Sequence, residues 1–386
     1  MKSNKIRLGE QCVVTSSKRF HLSERITQGV PFYCSKEIIK KFNGEDVTEC
    51  DYISEDLYKK VSNEFGVPKE NDLLITTRGT IGIPYLYKRT DRFYFADGNL
   101  TWIKDFDSNL YSKFLYYWFQ SYEGRKKFEA LAKGTAQKAV PISGIKTLEI
   151  ELPSLKSQKR IADILSAYDD LIENNQKQIK LLEEAAQRLY KEWFVNLRFP
   201  GHENTKIVDG VPEGWHRGTI GQIAEFKRGR TITKAQVKEG NVPVIAGGLE
   251  PAYYHNVANT KAPVITISAS GANAGFVRLY GVDVFASDCS FVDGLGTESL
   301  FFVYEFLKES KVSIDQLQKG SAQPHVYAKD INAMKITIPE KEYLERFDRY
   351  AKVYFNKIKT LQGQNERLKT ARNLLLPKLM SGEAEV

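Results

Sequence analysis

The sequence predicts two copies of an α/β (α+β) domain, each followed by a long helix, the helices pairing as an antiparallel coiled coil with pseudo-two-fold symmetry. Three observations lead there. First, Leu131 to Val140 reads against Leu317 to Val326 around a shared Lys-Gly-(Thr/Ser)-Ala-Gln core. Without a gap, Ile145 then falls on Ile331, Leu148 on Met334, Ile150 on Ile336 and Pro153 on Pro339. A fainter echo sets Leu74-Ile75-Thr76, Arg78-Gly79 and Gly82 against Val264-Ile265-Thr266, Ser270-Gly271 and Gly275. Fixed-offset self-similarity of this kind is the signature of a duplicated unit.

Second, each proline is followed by an apolar stripe in alternating steps of three and four. The first runs Ile161, Leu165, Tyr168, Ile172, Asn175, Ile179, Leu182, Ala186, Leu189 and Trp193; the second runs Leu344, Phe347, Ala351, Tyr354, Ile358, Leu361, Asn365, Leu368, Arg372, Leu375 and Leu379. Such seams specify helix pairing. Helices of about 38 residues would each extend about 57 Å. One with a single narrow stripe is unstable alone, and the chain supplies a partner of equal length. Asn175 and Asn365 lie near mid-seam, where a buried amide fixes register. Two separate homodimeric coiled coils are the alternative; an intramolecular partner has the higher effective concentration. Pseudo-two-fold docking makes the pair antiparallel.

Third, the segments before the stripes carry strand and turn signals. Residues 1–152 form the first domain, with strands expected at 73–76, 83–87 and 99–103 and a helix over 111–133. Residues 153–198 are the first long helix, and 199–214 a linker punctuated by proline and glycine. The second domain takes 215–338, with strands at 242–246, 263–268, 276–279 and 284–286 and a helix over 300–310. The second long helix takes 339–380 and the tail 381–386. Ile145 to Leu152 alternates as a half-buried strand should.

The chain has 386 residues, 42% hydrophobic and 27% charged, an ordinary globular composition rather than a disordered one. No apolar run is long enough to span a membrane, and the charged start, Met1 to Glu10, is unlike a signal peptide, so a cytoplasmic location is expected. Cys12, Cys34, Cys50 and Cys289 are far apart, without C-x-x-C spacing, which argues against zinc and a disulfide framework. A net charge of +8 is compatible with a nucleic-acid partner without requiring one.

Catalytic patterns are missing. There is no P-loop, no G-x-S-x-G elbow, and no third glycine after Gly294 and Gly296. His21, His202, His216, His255 and His325 show no metal-ligand spacing. Asp169-Asp170 and Glu183-Glu184 lie off the seam and are expected on a solvated face.

If the domains contact DNA, the two repeated loops are the first candidates. Lys133, Thr135, Gln137 and Lys138 stand in one, and Lys319, Ser321, Gln323 and His325 in the other. Lysine neutralises phosphate, Ser/Thr donates to it, and Gln can pair with adenine. A structural turn repeated with the fold would explain the loops equally well. Further candidates are Arg78, Lys88, Arg89 and Arg92, then Lys227, Arg228, Arg230 and Lys234, the cluster at 227–230 being the densest.

Several segments together resemble the specificity (S, HsdS) subunit of Type I restriction-modification systems. They are Ile150-Glu-Leu-Pro-Ser-Leu-Lys-Ser-Gln-Lys-Arg-Ile161, Leu189-Tyr-Lys-Glu-Trp-Phe194 with Arg198-Phe-Pro-Gly201, Val211-Pro-Glu-Gly-Trp215, and Leu376-Pro-Lys-Leu-Met-Ser-Gly-Glu383. The resemblance covers essentially the whole chain in the order recognition domain, helix, recognition domain, helix. It implies a non-catalytic subunit, each recognition domain reading half of a split, asymmetric site in double-stranded DNA while the helices set the spacing. It also implies two modification subunits, which use S-adenosylmethionine to methylate adenine, and restriction subunits, which use ATP and Mg²⁺; no cofactor and no membrane partner is expected for this chain. The second copy departs from the pattern, since Pro339-Glu-Lys-Glu-Tyr-Leu lacks Gln-Lys-Arg-Ile. Readers on one face of B-DNA stand about 34–36 Å apart, a separation that a 57 Å rod can carry. A stand-alone methyltransferase or nuclease, or a coiled-coil scaffold without nucleic acid, are the alternatives.

Overall fold

The computed structural model describes residues 4–134, 138–320 and 323–384. The chain divides into two compact units, one built from 1–176 and 364–386, the other from 177–363. Each long helix therefore contributes to both.

The first unit begins with β1 (Asn4–Arg7), β2 (Val13–Thr15), β3 (Val30–Tyr33), α1 (Ser35–Asn43), β4 (Asp51–Ile53) and α2 (Glu55–Glu64). It continues with β5 (Leu73–Thr76), β6 (Pro84–Leu86), β7 (Tyr94–Phe95), β8 (Leu100–Lys104), α3 (Ser112–Gln120) and α4 (Tyr122–Glu129). Last come α5 (Ile142–Lys146), β9 (Glu149–Leu152) and the start of α6 (Leu155–Tyr190). The strands pair in the orders β2-β8-β5-β6, β4-β3-β7 and β1-β9. All four residues of β5 are buried, because the strand is covered on both faces. Leu73 and Ile75 enter the core with Phe114, Ile145, Ile161, Leu165 and Leu379, while Leu74 faces Tyr85, Phe95 and Trp102 on the other side.

Two expectations change here. The helix over 111–133 is two helices, because Ser121 adopts extended backbone and caps both. Its hydroxyl donates to Trp118 O at 2.7 Å and accepts from Gly124 N at 3.1 Å. A Cβ on Gly124 would lie 1.9 Å from Trp118 O, so only glycine fits the turn. The strand over 145–152 starts only at Glu149; Pro141 opens the five-residue helix α5, which buries Ile145 instead.

The second unit takes the remainder of α6, then β10 (Ile207–Val208), β11 (Val211–Pro212), β12 (His216–Thr219), α7 (Ile220–Ile223), β13 (Lys227–Arg228), β14 (Val242–Ile245) and β15 (Tyr253–His255). There follow β16 (Val264–Ser268), β17 (Val277–Tyr280), β18 (Phe285–Ala286), β19 (Cys289–Asp293), α8 (Leu300–Glu309), α9 (Lys311–Gln316), α10 (Ala328–Asn332), β20 (Lys335–Ile338) and α11 (Lys341–Ser381). Sheet orders β13-β19-β16-β17, β15-β14-β18 and β12-β20 repeat those of the first unit strand for strand. Parallel pairing recurs at the same place, β3 with β7 and β14 with β18. The duplication is thus present in topology, with α1 and α2 added in the first copy. The segment expected as a linker is packed: β10 and β11 form a hairpin around Asp209-Gly210, and Phe199 is buried against Trp215 and Tyr343.

Ser154 caps the start of α6, its hydroxyl accepting from Ser157 N at 3.2 Å. Four residues into that helix, the buried Gln158 accepts from Tyr111 N at 2.9 Å and donates to Asn109 O and Pro153 O. The corresponding position in α11 is Leu344. There Asp348, one turn later, accepts from Phe302 N at 2.9 Å and Phe301 N at 3.2 Å at the start of α8. Burial pushes the Asp348 carboxyl up to about 7, against the pull of those two amides.

Candidate nucleic-acid interface

The ends of the repeated loop are bridged in both units. Lys133 N donates to Ala139 O at 2.8 Å and Ala139 N to Lys133 O at 3.0 Å; Lys319 N and His325 O do the same at 2.9 Å, with His325 N to Lys319 O at 2.8 Å. Gly134 and Gly320 follow the lysines with φ of +95° and +97°, a conformation that glycine adopts without strain. Each loop is stitched to the end of a central strand, by the bridges Arg78–Ala139 and Ser270–His325.

In the first unit the loop borders a cavity of about 310 Å³, lined by Ser16, Arg78, Asp97, Lys133 and Pro141 among others. Ser16 donates to Asp97 at 2.5 Å. The Arg78 side chain has no hydrogen-bond or ion-pair partner among the described residues. In the second unit Ser270 donates to Asp288, and the Arg228 guanidinium stands 4.0 Å from the same carboxylate. Lys319 pairs with Asp330 at 2.8 Å, and the His325 ring stacks on Tyr327 at 6.1 Å.

Both units thus present a cationic loop on one sheet topology. The family described as "Type I restriction modification DNA specificity domain" matches residues 3–184 and 212–370. The chain belongs to this family. Among its relatives, the Type I restriction enzyme MjaIX specificity subunit of Methanocaldococcus jannaschii is 27% identical over 300 residues, 71% of this chain and 69% of the relative. A putative type I specificity subunit of Mycoplasma genitalium is 26% identical over 327 residues, 82% of each chain. The crystal structure of a Type-I restriction-modification system S subunit from M. genitalium has a TM-score of 0.63 at 19% identity, covering 98% of this chain and 96% of that one. That likeness is one of fold.

Within this Type I specificity architecture the predicted contact residues are not all at the loops. Lys88 is turned to α6, where it pairs with Glu173 at 2.5 Å, and Arg92 is held by Glu55 over the Tyr58 ring. Arg89 is exposed in the turn between them, away from the cavity lining. Lys138 and Gln323 are exposed on the loops. Thr135, Gln137 and Ser321 lie outside the described residues. Lys227, Arg228, Arg230 and Lys234 are all exposed, and Arg228 is the one beside Asp288. Sequence reasoning missed Asp97 and Asp288, because it looked for cations, hydroxyls and amides and gave carboxylates no part; Ser16 escaped because it lies outside the repeated loops.

Asn175 and Asn365, both buried, meet in the first unit, the Asn175 amide donating to Asn365 Oδ1 at 2.9 Å. Asp169 departs from expectation: it is not on a solvated face but accepts from the Tyr117 hydroxyl at 2.6 Å and pairs with Arg372. In the second unit Trp193 packs on Phe347 at 6.1 Å and on Tyr350 at 6.0 Å. Among the described residues no group of acidic, His and Cys side chains could hold a metal ion, and no helix is long and apolar enough to cross a membrane. Burial pushes the Cys12 and Cys289 thiols up to about 12, as for structural cysteines.

Proposed function

We propose that the chain is the DNA specificity subunit of a Type I restriction-modification complex, each unit reading one half of a bipartite, asymmetric site. The observation that carries this is one sheet topology used twice, with matching loop bridges set among side chains that differ between the copies. A shared frame with different readers suits an asymmetric target. α6 and α11, with 36 and 41 residues, would form an antiparallel coiled coil that spaces the readers and docks the modification subunits. At 1.5 Å per residue they reach about 54 and 62 Å, enough for half-sites about 34–36 Å apart. Methyl transfer from S-adenosylmethionine, and cleavage driven by ATP with Mg²⁺, would belong to the partner subunits.

Mapping methylated bases in the host genome, with and without this chain, tests the proposal. A bipartite motif whose methylation disappears without the chain is expected. Persistence of that motif, or methylation or cutting of DNA by the purified chain alone, would overturn it.

A further inference from the structure

The backbone hydrogen bonds around the two loops correspond, and the arginine beside each loop does not. In the first, Thr77 N donates to Asn99 O at 2.9 Å, Val140 N to Thr77 O at 2.9 Å and Gly82 N to Thr76 O at 2.8 Å. In the second, Ala269 N donates to Asp288 O at 3.2 Å, Val326 N to Ala269 O at 3.0 Å and Gly275 N to Ser268 O at 2.9 Å. These bonds equate Arg78 with Ser270 and Asn99 with Asp288. The flanking strands extend the match: Thr15 opposes Trp102, two residues into β8, and Lys227 opposes Phe291, two residues into β19. Ser16 is therefore the counterpart of Arg228. An arginine and a serine have changed places, Ser16 with Arg78 in one frame and Arg228 with Ser270 in the other.

The exchange moves the arginine Cα from one side of the frame to the other. Arg78 follows β5 on one side of the central strand, whereas Arg228 ends the strand on the other side. With strands about 4.8 Å apart, the two arginine positions differ by about 10 Å within the common frame. That is about three base-pair steps of 3.4 Å. Arg228 has Asp288 at 4.0 Å, held by Ser270, and Arg78 lines one cavity with Asp97, held by Ser16. A carboxylate so placed repels phosphate, while it can accept from a base amino group. An arginine in that company is suited to a base edge rather than to the DNA backbone, and its fork matches O6 and N7 of guanine.

We infer that Arg78 and Arg228 are the base-reading side chains of their units, each for a guanine, and that the two guanines occupy different places in their half-sites. This rests on the DNA-reading function proposed above. The test uses the complex purified with its methylating partners and a DNA library randomised across both half-sites, comparing the wild type with Arg78→Gln and Arg228→Gln. Arg78→Gln should relax a guanine preference by about tenfold at one position of one half-site, leaving the other half-site unchanged. Arg228→Gln should do the reverse, at a different distance from the methylated base. Each untouched half-site reports that the chain is folded. Uniform weakening at every position, unchanged preferences, or relaxation at the same distance in both would overturn the assignment. A wild-type complex without bipartite preference would overturn the function and the assignment together.

Discussion

Asp169 on α6 is ion-paired with Arg372 on α11, and its second oxygen accepts from the Tyr117 hydroxyl on α3. One carboxylate thus ties the first recognition domain to both long helices. By the repeat that sets Pro153 on Pro339, Asp169 corresponds to Phe355 and Arg372 to Ala186. Phe355 stacks on Phe301 at 4.9 Å and meets Tyr304 edge-on at 5.5 Å, and Ala186 is buried in the same core. The two copies fill corresponding positions with opposite chemistry, an ion pair in one and buried apolar residues in the other.

Arg372→Ala is expected to leave the Asp169 charge half-buried with only the Tyr117 hydroxyl. The cost should be about 1–2 kcal/mol, since both partners are roughly a quarter exposed and partly solvated. Adding Asp169→Phe to Arg372→Ala copies the second unit's apolar residues and should recover most of the loss. Thermal unfolding of the two variants checks this; a double variant less stable than the single would refute it.

The Asn175–Asn365 hydrogen bond is buried, and a buried amide pair in a helix seam is expected to trade stability for register. Asn175→Leu alone strands the Asn365 amide and should lower stability by about 1–3 kcal/mol. Leu at both positions should raise the melting temperature above wild type and admit alternative pairings, seen by light scattering as concentration-dependent oligomers. A double variant that melts lower, or remains strictly monodisperse, would argue against a register role.

Glu305 on α8 is buried, and its carboxyl is pushed up to about 8 by burial, with the Glu183 and Glu309 carboxylates adding to the shift and Lys308 opposing it. The folded chain therefore holds a proton that the unfolded chain releases near its ordinary carboxylate range. The stability linked to Glu305 is present in full below that range and lost as pH climbs to about 8. Glu305→Gln, which cannot ionise, should flatten the fall in melting temperature between pH 5 and 8. An unchanged slope would assign the fall to Asp348 or Glu183 instead.

The long helices and the second half of each repeat were legible because buried faces impose a period over many residues, as Ile161 through Trp193 do. Boundaries set by single local bonds were not. The extended Ser121 that splits α3 from α4 has no periodic signature, and Pro141 opens α5 inside an apparent strand pattern. The loops announced themselves from Leu131 onward, where the copies align without gaps. Upstream, α1, α2 and the extra Asp97-Gly98 shift the numbering, so the pairing of Ser16 with Arg228 is visible only in strand register. Lys88 and Arg92 looked available because a sequence does not reveal that Glu173 and Glu55 face them.

The spacing role proposed for the helix pair predicts a testable length. In the first unit Asp169 faces Arg372 and Asn175 faces Asn365, so the partners rise in one helix as they fall in the other and the segments run antiparallel. Inserting four residues in both helices, just beyond Asn175 and just before Asn365, adds the same increment at one level of the pair. Four residues lengthen a helix by about 6 Å, one to two base-pair steps, and advance its face by little more than a full turn. Both seams therefore stay in contact. The methylation motif of the inserted variant should keep both half-sites and gain one or two base pairs of spacer. An altered half-site sequence would mean that the helices do more than set distance; an unaltered spacer would mean that they do not set it at all.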